Sequence, residues 1–168
     1  MSFERARCSL PLAVIVGIAA IPGSPACTAQ FSNPSGPAAG AQSIPQAQLI
    51  QPDELNRMLQ SGAAAKPLVL QVGSRVMFAQ AHIPGAQYAG PGSQPAGLQP
   101  LAANVASLPK RAFIVLYCGC CPWNRCPNIG PAFNQLRQLG FANVKVLYIA
   151  NNFGDDWVNK GYSVEKGL

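Results

Sequence analysis

Three apolar runs frame this chain: "PLVLQVG" (Pro67 to Gly73), "AFIVLYC" (Ala112 to Cys118) and "VKVLYIA" (Val144 to Ala150). Each suits a strand buried on both faces. Between the last two lies "PAFNQLRQLG". Pro131 falls in its first turn, where a missing N–H costs nothing, and Gly140 follows the last turn as a C-cap. Strand, helix and strand in that order make a crossover, and hence a parallel sheet. Upstream, "IQPDELNRMLQSG" opens on Pro52 and Asp53, closes on Gly62 and sets Leu55, Met58 and Leu59 on one face. That pattern predicts a short amphipathic helix. The fold class is therefore α/β, and in open sheets of this kind sites lie beyond the carboxyl ends of the strands.

At that end of "AFIVLYC" begins "CGCCPWNRCPNIGPAF", which holds four of the six cysteines between Cys118 and Cys126. The location, from strand end to helix start, points to chemistry rather than stapling. Three chemistries compete. Four thiolates would satisfy an all-cysteine zinc site or hold Cu(I). However, Cys120 and Cys121 are adjacent, all four lie on one loop, and His82 belongs to the separate "AHIPGA" turn. Tetrahedral closure is strained, so the expectation is no metal and no cofactor. Cys118 and Cys121 form a C-x-x-C pair set between a strand and a helix, as in thiol-disulfide enzymes, with Cys126 as a resolving thiol. Structural disulfides that rigidify the loop are the third reading.

Composition enters through the N-terminus. Arg5 and Arg7 precede the apolar run "LPLAVIVGIAAI" (Leu10 to Ile21) and the small-residue segment "PGSPACTAQ". This is the layout of a secretory signal peptide, and the run is short of the roughly 20 apolar residues that span a bilayer. A cut after Ala29 fits the small-x-small rule, giving a signal peptide over residues 1–29. A cut after Ala26 would leave Cys27 for a lipid anchor, although Ser24 stands where lipoprotein signals usually carry Leu. The expected location is a bacterial envelope or periplasm, an oxidising compartment. Residues 30–48, rich in Pro, Gly, Ser, Ala and Gln, read as a flexible tether. Residues 49–168 are long enough to bury a core of their own.

The formal net charge is +6. No acidic residue occurs between Glu54 and Asp155, while Arg57, Lys66, Arg75, Lys110, Arg111, Arg125, Arg137 and Lys145 all do. These cations are scattered singly, without the aromatic interleaving of nucleic-acid binders, so no nucleic-acid partner is expected. A positive field that favours a small anionic substrate fits better.

The segments "LVLQVGSRVMFAQAHIPGAQY", "FIVLYC", "QLRQLGFANVKVL" and "NNFGDDWVNKGYSVEKG" occur in the order seen in rhodanese domains, and from Leu49 onward the chain resembles that sulfurtransferase family. The resemblance implies a three-layer α/β sandwich around a largely parallel five-stranded sheet. It also implies that the residue directly after "FIVLY", Cys118, is the nucleophile. Backbone N–H groups of the following loop would then surround its sulfur at a helix N-terminus. With Arg125 nearby, they would favour the thiolate. Gly119, Cys120, Cys121, Trp123 and Asn124 would line the substrate pocket, and Cys120, Cys121 or Cys126 would serve as resolving thiols.

Two departures stand out. Four residues separate Cys120 from Arg125, the sulfurtransferase loop length, whereas six separate Cys118 from Arg125. Cys120 is thus a second candidate nucleophile, placed behind Cys118 because of the strand position. Gln71 and Gly73 stand where the family carries an acid and an arginine. Gln71 can accept a hydrogen bond but cannot form an ion pair.

The function implied is transfer of sulfane sulfur from a thiosulfate-like anion to a thiol or cyanide through a cysteine persulfide. The protein would act as a monomer, touching a membrane only through a lipid on Cys27. A thiol-disulfide redox protein, a non-catalytic binding module and a phosphatase-like enzyme are the alternatives. For the last, Asp155 and Asp156 are the only acids offered by the second half of the domain before Glu165, and they sit apart from the loop. His82, Tyr117, Phe153 and Trp157 read as structural residues.

Overall fold

The computed structural model describes residues 44–62 and 66–168. The expected signal peptide, Cys27 and the tether up to residue 43 lie outside the described residues. The packed chain reaches back past Leu49 to Ile44, which is buried, and Gln46–Gln48 form a 3-10 turn. Lys145 Nζ donates to the Ala47 carbonyl and ties this entry segment to the sheet. No helix of the described residues is long and apolar enough to cross a membrane.

Five parallel strands form one sheet: β1 (Leu49–Ile50), β2 (Leu68–Gln71), β3 (Gln87–Tyr88), β4 (Ile114–Tyr117) and β5 (Val144–Leu147). Their order across the sheet is β1-β5-β4-β2-β3. The three apolar runs supply the central strands β5, β4 and β2. The edge strands are two residues each, too short to leave a pattern of their own.

Side chains alternate across a strand, and β4 shows the consequence. Ile114, Leu116 and then Cys118 face one layer, formed by α3 (Leu98–Val105) and α4 (Ile129–Gln138) with Leu101, Val105, Ile129, Phe133 and Leu136. Val115 and Tyr117 face the other, where α1 (Pro52–Gln60), α2 (Arg75–Gln80) and α5 (Phe153–Asp156) contribute Leu55, Phe78 and Phe153, joined by Trp157 just beyond α5. Each fully buried aliphatic side chain stabilises the fold by about 1.5–3 kcal/mol. The sheet is covered on both faces, as an all-parallel sheet requires.

The crossover helix begins two residues ahead of Pro131 and ends as its sequence implies. Gly140 has φ +87°, its N–H donates to the Arg137 carbonyl and that of Phe141 to Leu136. This pair of bonds caps the last carbonyls, and the positive φ suits a residue without Cβ.

Candidate active site

Cys118 follows β4 directly and is 3% exposed. Its Sγ lies 3.2 Å from Cys120 Sγ, which is itself 3.2 Å from Cys121 Sγ. Asn128 donates from Nδ2 to Cys118 Sγ at 3.3 Å and more distantly to Cys126 Sγ at 3.9 Å. The sulfurs of Cys118, Cys120 and Cys126 all lie within 4.8 Å of one another. All four cysteines stand as thiols, with no disulfide among them.

Local backbone chemistry explains this gathering. Gly119 has φ +87°, and a Cβ there would come 3.0 Å from the Cβ of Phe153. The chain turns sharply at that point and brings Cys120 back over Cys118. Pro122 then leads into a 3-10 turn, Trp123–Arg125, which returns Cys126 to the buried side. Asn128 occupies the N-cap position of α4, yet it makes no side-chain cap bond. Its amide serves the sulfurs instead, while its Oδ1 accepts from Ser93 N at 3.0 Å.

Gln71 braces the strand end from the neighbouring strand. Its Nε2 donates to the Cys118 carbonyl at 3.1 Å and its Oε1 accepts from Gly73 N at 3.2 Å. Gly73 is there for space: a Cβ would stand 2.8 Å from Cys118 Sγ. Where the family pattern has an ion pair, this chain has a neutral clamp with the sulfur filling the vacated volume.

Cys118, Gly119 and Cys120 open onto a cavity of about 280 Å³, walled by Gln71, Met77, Gln80, Tyr117 and the segment Asn152, Phe153 and Gly154. A larger cavity of about 640 Å³ lies between α2, β3 and the C-terminal tail, but no cysteine lines it. Cys118 and Cys120 line the smaller one.

The remaining candidates sit elsewhere. Asn124 and Arg125 are exposed on the 3-10 turn, and neither they nor Trp123 lines the cysteine cavity. Trp123 donates its backbone N–H to the Ile149 carbonyl, and its ring lies 6.3 Å from that of Tyr148. The charge of Arg125 is felt at Cys121, where it opposes the upward push of burial on that thiol. The loop amides divide into two groups. Those of Trp123, Arg125 and Cys126 donate to carbonyls. Those of Gly119, Cys120, Cys121 and Asn124 have no protein acceptor among the described residues.

Protons are held tightly on the surrounding thiols. The Cys120 residue is exposed, but its sulfur is wedged between two others. That burial, with the hydrogen bond to Cys121 adding to it, pushes the thiol up to about 12. Cys126 is raised first by its hydrogen bond to Cys118 and then by burial. Cys121 is raised by burial.

A family model described as "Rhodanese-like domain" matches residues 51–148. The chain belongs to the rhodanese-like domain family. This is a family of sulfurtransferase-like domains that also includes members without catalysis. The solved structures agree on the fold. The Alr3790 protein from Anabaena sp. matches at 24% identity and a TM-score of 0.54, over 71% of this chain and 93% of that one. The BH2092 protein from Bacillus halodurans matches at 24% identity and TM-score 0.54, over 71% and 77%. EanB matches at 20% identity and TM-score 0.51, over 71% of this chain but 27% of its own length. One EanB structure is a complex with hercynine. No curated protein matches the sequence. The matched rhodanese-like range contains the whole cysteine loop but stops short of Asn152, Phe153 and Gly154, which wall the cavity.

His82, in the turn whose sequence marks it as structural, is buried. Its Nδ1 donates to the Phe78 carbonyl at 2.8 Å, and its backbone pairs with Glu165. Sequence reasoning missed Asn128. Asparagine ahead of a helix reads as a cap, and the one available signal was its position ten residues after Cys118, closing the same loop.

Proposed function

We propose that this chain is an exported rhodanese-like sulfurtransferase that carries sulfane sulfur as a persulfide on Cys118. The observation that carries the reading is a cysteine at the end of the central strand that is among the residues lining a cavity and whose sulfur accepts from the Asn128 amide. The unengaged N–H groups of Gly119 and Cys120 belong to residues of the same cavity wall. Such donors stabilise negative charge on a persulfide and on a departing anion.

In the first half-reaction, Cys118 thiolate attacks the outer sulfur of a thiosulfate-like donor. The new S–S bond forms as the donor's own S–S bond breaks, and sulfite leaves with the electron pair. In the second, cyanide or a thiolate takes the outer sulfur and Cys118 leaves as thiolate. Arg125, exposed on the loop, contributes positive charge that draws the anion toward the site rather than a direct contact. The signal-like N-terminus supports export, with a monomeric domain released from residues 1–29.

The 3.2 Å approach of Cys120 to Cys118 favours a second role for the same site. Cys120 thiolate can attack the inner persulfide sulfur, forming a Cys118–Cys120 disulfide and releasing hydrosulfide. The sulfane sulfur is reduced and the two cysteines are oxidised.

The test is intact-mass analysis under non-reducing conditions after thiosulfate treatment. The wild-type chain should gain one sulfur mass, or lose two hydrogens where Cys120 has resolved the persulfide, and Cys118→Ser should do neither. An undiminished gain in the variant removes the assignment, and no change in either chain points to a binding module.

A further inference from the structure

We propose that Cys118, Cys120 and Cys126 form a three-thiolate binding site for a soft monovalent cation, with Cu(I) the ion of best fit. The inference goes beyond sulfur transfer and uses a residue, Cys126, whose position that reaction does not require. Its basis is the clustering of the three sulfurs within 4.8 Å of one another. Sulfurs about 2.3 Å from a shared central ion would stand about 4 Å apart in a trigonal plane. The Cys118–Cys120 pair must open only slightly from 3.2 Å to reach that spacing.

A cage on one short loop looks strained in the sequence because Cys120 and Cys121 are adjacent. The fold relieves the strain by leaving Cys121 out of the three. The 3-10 turn Trp123–Arg125 reverses the chain, so Cys126 approaches from the helix side while Cys118 and Cys120 approach from the strand side. No histidine or carboxylate joins the group among the described residues. Hard cations that seek six or more oxygens find no ligands here. Zinc prefers four ligands. Soft thiolates and low coordination number favour Cu(I).

Two further features suit an ion. Asn128 Nδ2 donates toward both buried sulfurs, at 3.3 Å and 3.9 Å, as partners beyond the ligands commonly do in metal sites. Cys118 and Cys126 are buried while Cys120 is exposed beside the cavity, which gives the ion a way in. Binding replaces the thiol protons, so it releases acid and strengthens as pH rises. An ion on Cys118 and a persulfide on Cys118 exclude each other.

The experiment is an anaerobic titration of the reduced full chain with Cu(I) against bicinchoninate, a chromogenic Cu(I) chelator. The wild-type chain should retain about one copper against the chelator, with copper-edge absorption reporting a sulfur-only shell of about three atoms. Cys126→Ser should lose that retention and Cys121→Ser should keep it. Cys120→Ser, altered at an exposed position, should lose it too, and it serves if Cys126→Ser does not fold. Failure of the wild-type chain to compete with the chelator overturns the site. So does equal loss in Cys121→Ser, or retention of Zn(II) in preference to Cu(I). The two readings fail separately: absence of both a thiosulfate-derived sulfur mass and a Cys118–Cys120 disulfide on metal-free protein strikes only the transferase, and absence of retained copper strikes only the cation site.

Discussion

His82 and Cys118 are both buried and both sit beside a cavity, yet their surroundings follow opposite rules. Three of the four polar atoms of His82 hydrogen-bond within the protein. Its N–H and carbonyl pair with Glu165 at 2.9 Å and Nδ1 donates to Phe78, while Nε2 lies 3.7 Å from the Glu165 carboxylate, beyond hydrogen-bond reach. The ring stacks on Phe78 with centroids 3.9 Å apart. Around Cys118, three successive amides lack a protein acceptor among the described residues, and the sulfurs find mainly one another. A corner whose backbone and Nδ1 are all paired stabilises the fold. An unsaturated one retains binding capacity for a ligand, and cavity size does not distinguish the two.

The sharpest way to break this contrast is Asn128→Asp. It keeps an oxygen for Ser93 N but replaces the donor at Cys118 Sγ with a carboxylate. Hydrogen bonds to charged groups are worth about 1.5–3 kcal/mol, so persulfide formation should slow by about tenfold to a hundredfold in stopped-time mass analysis. An unchanged rate would mean that the donor plays no part.

Next in size is the reactivity of Cys120. A thiol raised to about 12 carries less thiolate at any pH below that value than an ordinary cysteine. Its alkylation by iodoacetamide at pH 7.5 should be more than about tenfold slower than that of a free cysteine, and should climb as pH rises. Peptide mapping checks this, and fast labelling at neutral pH would contradict the burial of its sulfur.

The smallest effect is assigned to the other corner. His82→Leu removes the bond to Phe78 and the contact with Glu165, and should lower unfolding stability by about 1–3 kcal/mol in urea titration. Persulfide formation in the folded fraction should stay at the wild-type rate. A specific loss of rate would move His82 into the site.

Much of the architecture was legible because it rests on periodicity. The runs around Val69, Val115 and Val146 are apolar on both faces, and a parallel strand buried between two helical layers must be so. The Pro131 and Gly140 signals framed α4 for equally local reasons. The strands Leu49–Ile50 and Gln87–Tyr88 left no such trace, because two residues cannot display alternation. The loop was legible only in its residue types. Counting residues from cysteine to arginine treats the segment as a simple arc, whereas Gly119 and the 3-10 turn fold it back on itself. That fold exposes Arg125 and buries Cys126. Asn128 was hidden behind a role it does not play, since its side chain leaves the helix end uncapped and turns to sulfur.

Two backbone bonds fasten the cysteine loop to the stretch after β5: Trp123 N to the Ile149 carbonyl, and Phe153 N to the Gly119 carbonyl, each 2.9 Å. Phe153 in turn lies nearly parallel to the buried Trp157 ring. The loop is therefore riveted at two points to a neighbouring rib of the molecule. An incoming molecule that pries it outward must also tug on Phe153 and the aromatic stack behind it, so entry is resisted by the interior and not by the rim alone.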